Sequence, residues 1–150
     1  MTLNASLSLK GILIPFLKSF EGFSASPYRC PGGFQTVGYG HRIRPKEAFS
    51  FPISPEIAEV ILWNDINHII PVLDAFFWVP LSLHQRAALL SFTFNVGTAA
   101  LQRSTLRLKV NREEHEAVPQ ELMKWIWVRG QPSRGLRKRR FAEGSLYNGY

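Results

Sequence analysis

At 150 residues, 45% hydrophobic and 13% aromatic, the chain has ample material for a buried core, which excludes a disordered or fibrous protein. Eighteen Lys and Arg against eleven Asp and Glu give a net charge of +7, which favours a polyanionic partner: nucleic acid, an anionic membrane surface or the bacterial envelope. A single cysteine rules out an internal disulfide, so the fold does not need an oxidising compartment.

The first apolar stretch, Ile12, Leu13, Phe16, Leu17 and Phe20, fits one face of a helix ending beside Glu21. Pro15 lies inside it and, unless in the first turn, removes a backbone donor and kinks the segment, so the pattern does not fix where the helix starts. The same stretch is too short for a membrane span and has no small-residue cleavage site, so no signal peptide is recognisable. From about Ala25 to Ile43, Gly, Pro and aromatic residues change the pattern to short strands. A turn such as Gly32-Gly33-Phe34 sets Cys30 directly opposite Thr36, whereas a two-residue Gly32-Gly33 turn pairs Cys30 with Gln35. The functional reading favours the longer turn.

Beyond Pro52 the chain reads as helical. Ser54-Pro55-Glu56 opens a helix carrying Ile57, Val60, Ile61, Asp65 and His68, which weakens near Pro71. Ser82-Leu83-His84-Gln85 is a capping box ahead of an all-round apolar helix, Ala87 to Phe94, that stops at Gly97. Ser104-Thr105 caps a short helix, an amphipathic helix is predicted around Glu113 to Trp127, and the last helix begins near Ser133. No internal repeat, low-complexity stretch or linker interrupts residues 1–150, so one domain is expected.

Chemistry concentrates between Glu21 and His41. Glu21 closes the first helix, Cys30 follows nine positions on, and Thr36 follows after six more, running into Val37-Gly38-Tyr39-Gly40-His41. A punctuated hairpin folds the thiol and the hydroxyl back toward the acid, and an acid facing a water-holding pair is the equipment of glycoside hydrolysis. A lone helix-end Glu is usually solvated surface, a lone Cys a small buried hydrophobe, and a strand Thr a matter of β propensity. The surrounding constellation reverses that default for Glu21. No metal-ligand spacing and no phosphate-binding glycine loop occurs, so neither a metal nor an organic cofactor is expected.

The run from Glu21 through Cys30 and Thr36 to His41 resembles the phage-type lysozymes of glycoside hydrolase family 24. Further segments match in order: Ala88 to Gly97, Ser104-Thr105-Leu106, Gly130, Gly135 to Arg140 and Glu143, together spanning roughly residues 9 to 147. The resemblance implies an α+β, mainly helical lysozyme-like fold with a small β-hairpin lobe and a cleft between lobes. It implies a muramidase that cuts the β-1,4 bond between N-acetylmuramic acid and N-acetylglucosamine, acting as a phage or prophage endolysin.

On this resemblance Glu21 is the general acid, which must be protonated near neutral pH to serve the departing oxygen, and Phe20 and Phe23 are available to supply apolar surroundings. Thr36 positions the attacking water. Cys30 stands where most of the family has Asp, and with an ordinary pKa near 8.5 it holds the water or accepts weakly from it. Some members carry Cys here, so the substitution does not argue for a dead enzyme. His41 is read as structural, with Asp65 as its partner by resemblance. Arg137, with Arg140 second, is the acid-orienting arginine, and Asn95 a sugar contact.

The expected partner is peptidoglycan, met by a monomer with electrostatic contact to an anionic envelope, without membrane insertion or specific nucleic acid. The expected location is the host cytoplasm until a holin releases the enzyme to the wall. The rival enzyme is a lytic transglycosylase, which needs no water-activating group. The rival of another class is a cationic, non-catalytic module binding walls, membranes or nucleic acid, to which the basic run Arg134, Arg137, Lys138, Arg139 and Arg140 would suit equally.

Overall fold

A computed structural model describes residues 1–150 as two compact units, one of residues 14–68 and the other of residues 1–13 with 69–150. Helices α1 (Leu3–Phe20) and α2 (Pro55–Phe76) each contribute a segment to both. No helix is long and apolar enough to cross a membrane.

In the first unit, the end of α1 leads into a three-stranded antiparallel sheet, β1 (Ser24–Arg29), β2 (Gln35–Gly38) and β3 (His41–Arg42), in the order β1-β2-β3. The α1 segment departs from the predicted face. Leu9, Leu13, Ile14 and Leu17 are buried, while Ile12, Phe16 and Phe20 are only half-buried. Pro15 does not end the helix: it sits on the exposed side, where its missing N–H costs one bond to the Gly11 carbonyl and its ring meets solvent.

The β1–β2 register differs from both predicted turns. Tyr28 faces Thr36 and Arg29 faces Gln35, so Cys30 faces Phe34, whose carbonyl accepts the Cys30 N–H at 2.9 Å. The loop is Pro31-Gly32-Gly33. The Gly33 N–H donates to the Cys30 carbonyl at 2.8 Å and Gly33 takes a φ of 82°, the arrangement of a three-residue hairpin loop with glycine at the left-handed position. Gly38, the last residue of β2, is glycine for two reasons. Its φ is 65°, and a Cβ would come within 3.2 Å of the Ala58 Cβ on α2.

The second unit centres on α3 (Leu83–Val96), buried from Ala87 through Thr93. Its capping box forms: the Ser82 hydroxyl accepts the Gln85 N–H at 3.1 Å and the Gln85 carboxamide accepts the Ser82 N–H at 2.9 Å. Two short helices follow, α4 (Thr98–Gln102) and α5 (Thr105–Asn111), the second capped by Ser104. The amphipathic helix predicted over Glu113 to Trp127 is broken. Glu113 adopts a φ of 57°, and Pro119 tolerates only the first turn of a helix, so a 3₁₀ turn at His115–Ala117 precedes a five-residue α6 (Val118–Leu122). Trp127 and Val128 instead form β4, which pairs with β5 (Gln131–Pro132) across Arg129 and Gly130, both at positive φ as a two-residue hairpin turn requires. Helix α7 (Arg134–Tyr147), capped by Ser133, packs on α3 and α6.

Candidate active site

Glu21, Cys30 and Thr36 all belong to the unit of residues 14–68. Glu21 is the first residue past α1, half-buried, with its N–H closing the last helical turn on the Leu17 carbonyl at 2.8 Å. Phe20 packs on Phe16 with ring centroids 5.2 Å apart, and Phe23 packs on Tyr39 at 5.5 Å.

Cys30 and Thr36 lie on the same face of the hairpin as diagonal neighbours, because Tyr28 stands opposite Thr36 and Phe34 opposite Cys30. Thr36 is 3% exposed, and Cys30 is half-buried. A hydrogen bond from the Thr36 hydroxyl pulls the Cys30 thiol below its ordinary range. The backbone around Phe34 and Gly32 and the charge of Arg42 act the same way, against partial burial. Arg42 is Thr36's partner on β3 and stacks its guanidinium over the Phe34 ring at 4.0 Å. The Thr36 hydroxyl also reaches the Phe34 carbonyl, to which it donates at 3.2 Å. With its one proton turned that way, its lone pairs can accept a hydrogen bond from water.

His41 is 5% exposed and bonded at both ring nitrogens: Nδ1 lies 2.7 Å from Asp65 Oδ2 and Nε2 lies 2.9 Å from Glu47 Oε2. The bond to Asp65 raises its pKa above 6.5, against burial and with help from Glu47, which favours the imidazolium. This arrangement ties β3 to α2 and to the turn after it, where Glu47 also accepts the Arg44 N–H at 2.7 Å. Sequence reasoning missed Glu47. Its signal was the Arg44-Pro45-Lys46-Glu47 turn, whose acid can reach back to the strand.

The remaining sequence-predicted residues lie in the other unit. Arg137 is exposed on α7, its main-chain N–H donating to the Ser133 carbonyl at 2.9 Å and its guanidinium turned to solvent. Arg140 is fully buried: Nη1 donates to Glu143 Oε2, Nη2 to Asn95 Oδ1, and Nε to the Trp125 carbonyl at 3.1 Å. Asn95 therefore turns its side-chain oxygen to Arg140. The other Glu143 oxygen accepts the Ser91 hydroxyl at 2.7 Å and Arg139 Nε at 3.2 Å. Burial pushes the Glu143 carboxyl up, and the two guanidiniums and the Ser91 hydroxyl pull against it. Ser91 was not singled out from sequence. As the lone hydroxyl among Leu89, Leu90 and Phe92 in a helix buried all round, it was a readable sign of a buried polar partner.

The sequence model of the phage lysozyme family matches residues 18–143. The chain is 36% identical over 145 residues to an endolysin of Acyrthosiphon pisum secondary endosymbiont phage 1, covering 94% of this chain and 97% of that one. Its fold is similar to an endolysin from Escherichia coli O157:H7 phage FAHEc1, with a TM-score of 0.81 at 30% identity over 93% and 91% of the two chains. It is also similar to the muramidase domain of SpmX from Asticaccaulis excentricus, with a TM-score of 0.80 at 29% identity over 89% and 92%. The chain belongs to the phage lysozyme family, and its α+β, mainly helical fold is that of the lysozyme-like muramidases.

Proposed function

We propose that the protein is a peptidoglycan hydrolase, a muramidase that cleaves the β-1,4 bond between N-acetylmuramic acid and N-acetylglucosamine as the endolysin of a phage or prophage. The observation that carries the mechanism is the diagonal pairing of Cys30 with the buried Thr36 hydroxyl, in the same compact unit as Glu21. Glu21 gives its proton to the departing glycosidic oxygen. A water held by Thr36 and Cys30 attacks the anomeric carbon from the opposite side, and the proton it releases passes to the thiolate form of Cys30, a form that the Thr36 hydroxyl bond favours. The result is a hemiacetal of inverted configuration, with no covalent sugar-enzyme bond.

His41 with Asp65 and Glu47 braces the strand that pairs with Thr36. In the host the enzyme works as a monomer on the wall, after release from the cytoplasm by a holin. A digest of purified peptidoglycan analysed by mass tests the reading: reducing muramic acid ends are expected. Products one water lighter would instead assign a transglycosylase, and no release of muropeptides would assign a binding module.

A further inference from the structure

After Glu121 the only acidic side chain is Glu143, and Glu143 is fully buried. The exposed surface of β4, β5 and α7 is therefore cationic. Helix α7 divides sharply. Arg139, Arg140, Glu143, Gly144, Leu146 and Tyr147 are buried, and the opposite side carries Arg134, Arg137, Lys138 and Phe141, spaced three and four apart and all exposed. Phe141 is 71% exposed. At the start of the helix the β4–β5 hairpin adds Trp127, Val128 and Arg129, also exposed, and is tied to the helix cap by the Ser133 N–H bond to the Ile126 carbonyl at 2.7 Å.

Beside Phe141 an open groove of about 180 Å³ runs along Pro119, Met123, Gly144 and Asn148. Gly144 lets α7 approach α6 closely at its floor, since a Cβ there would sit 3.3 Å from the Pro119 Cβ.

We propose that this face docks the protein on the surface of a bilayer rich in anionic lipid headgroups. The exposed cations meet headgroup phosphates, while Trp127, Val128 and Phe141 enter the headgroup–acyl boundary, where aromatic and amphipathic side chains are favoured. The two halves respond differently to salt: charge gives attraction that salt screens, and the apolar residues give a weaker contact that salt leaves standing. A nucleic acid would use the cations, but the aliphatic surface of Val128, Pro119 and Met123 offers nothing to a base or a phosphate and suits a hydrocarbon chain. The inference does not depend on the hydrolytic mechanism, because none of these residues belongs to the Glu21, Cys30 and Thr36 unit.

Co-sedimentation of the full chain with vesicles of phosphatidylcholine alone, or with one quarter phosphatidylglycerol, tests it. Binding is expected to the anionic vesicles and to be at least about tenfold weaker to the neutral ones. Replacing both Arg134 and Lys138 by Ser should weaken anionic-vesicle binding roughly 25-fold at low salt, at about fivefold per cation. Phe141→Ser should abolish the residue of binding that survives high salt. Turnover of short soluble glycan fragments should be unchanged in all of these variants. Equal binding to both vesicles, wild-type binding by the variants, or binding of a duplex oligonucleotide in place of vesicles would overturn the proposal.

Discussion

Cys30 and Thr36 are diagonal partners across a hairpin, separated by the one-step offset that the Pro31-Gly32-Gly33 loop imposes. A diagonal pair on one face still brings the two polar groups within hydrogen-bond reach of each other, the Thr36 hydroxyl reaching the Cys30 sulfur. The arrangement makes the thiol's acidity depend on a neighbour's hydroxyl. Thr36→Val should therefore raise the Cys30 pKa, shifting the pH midpoint of iodoacetamide labelling upward, and should slow hydrolysis. An unchanged labelling midpoint with intact fold would show that Thr36 does not set the thiol's acidity.

Glu21→Gln should leave the circular dichroism and thermal midpoint near wild type while removing cleavage by about 10²–10⁴-fold, the usual worth of a general acid. The amide keeps the shape and lacks the proton. Near-normal turnover in a folded Gln variant would reject Glu21 as the acid.

Cys30→Asp should keep activity but extend the acid side of the pH–rate profile, since a carboxylate stays an anion to lower pH than a thiol. Cys30→Phe should block the space for water. Full activity in the Phe variant would reject the water site.

His41 should make stability depend on pH in a defined direction. Its folded pKa is raised above 6.5 by Asp65, so its contribution is complete below that unfolded-chain value and is lost as pH rises through the folded one. The thermal-midpoint gap between wild type and Asp65→Asn should therefore shrink from about pH 6 to about pH 9. Glu47 acts at the other end. Although burial pulls its pKa up, the Arg44 amide and His41 hold it below 4.5, so its contribution is present above 4.5 and lost as pH falls through the folded value.

Glu143→Ala should cost about 3–5 kcal/mol, because it leaves Arg139 and Arg140 buried without the carboxylate they share. The double change Arg140→Met with Glu143→Leu should recover part of that loss in urea denaturation. A double variant as unstable as Glu143→Ala would mean that packing, not charge pairing, sets the cost.

The parts of the fold that local chemistry dictates were legible in the sequence. The Ser82–Gln85 box, the Ser54-Pro55 start and the Gly97 stop are each decided within four residues, and each marks an observed boundary of α2 or α3. What depended on distant packing was not. Pro15 and Pro71 both sit within helices whose buried neighbours outweigh one lost bond, so neither ends its helix. Glu113 to Trp127 carries an amphipathic pattern, yet the left-handed Glu113 and Pro119 divide it. In the candidate site, the approach of Cys30 to Thr36 could be read from spacing only as far as the loop's conformation was known. The bond from Ser91 to Glu143 joins residues 52 apart, so the buried hydroxyl was readable in its own helix but the identity of its partner was not.

The Phe34 carbonyl accepts from two donors, the Cys30 main-chain N–H and the Thr36 hydroxyl. A carbonyl oxygen has two lone pairs, so when the hydroxyl swings to the sulfur the main-chain bond stays in place. The hairpin thus keeps its closing clasp whichever way the hydroxyl turns. The same loop backbone, at Phe34 and Gly32, shares with the Thr36 hydroxyl in lowering the thiol's pKa, so one short turn both closes the hairpin and sets the acidity of the group it presents.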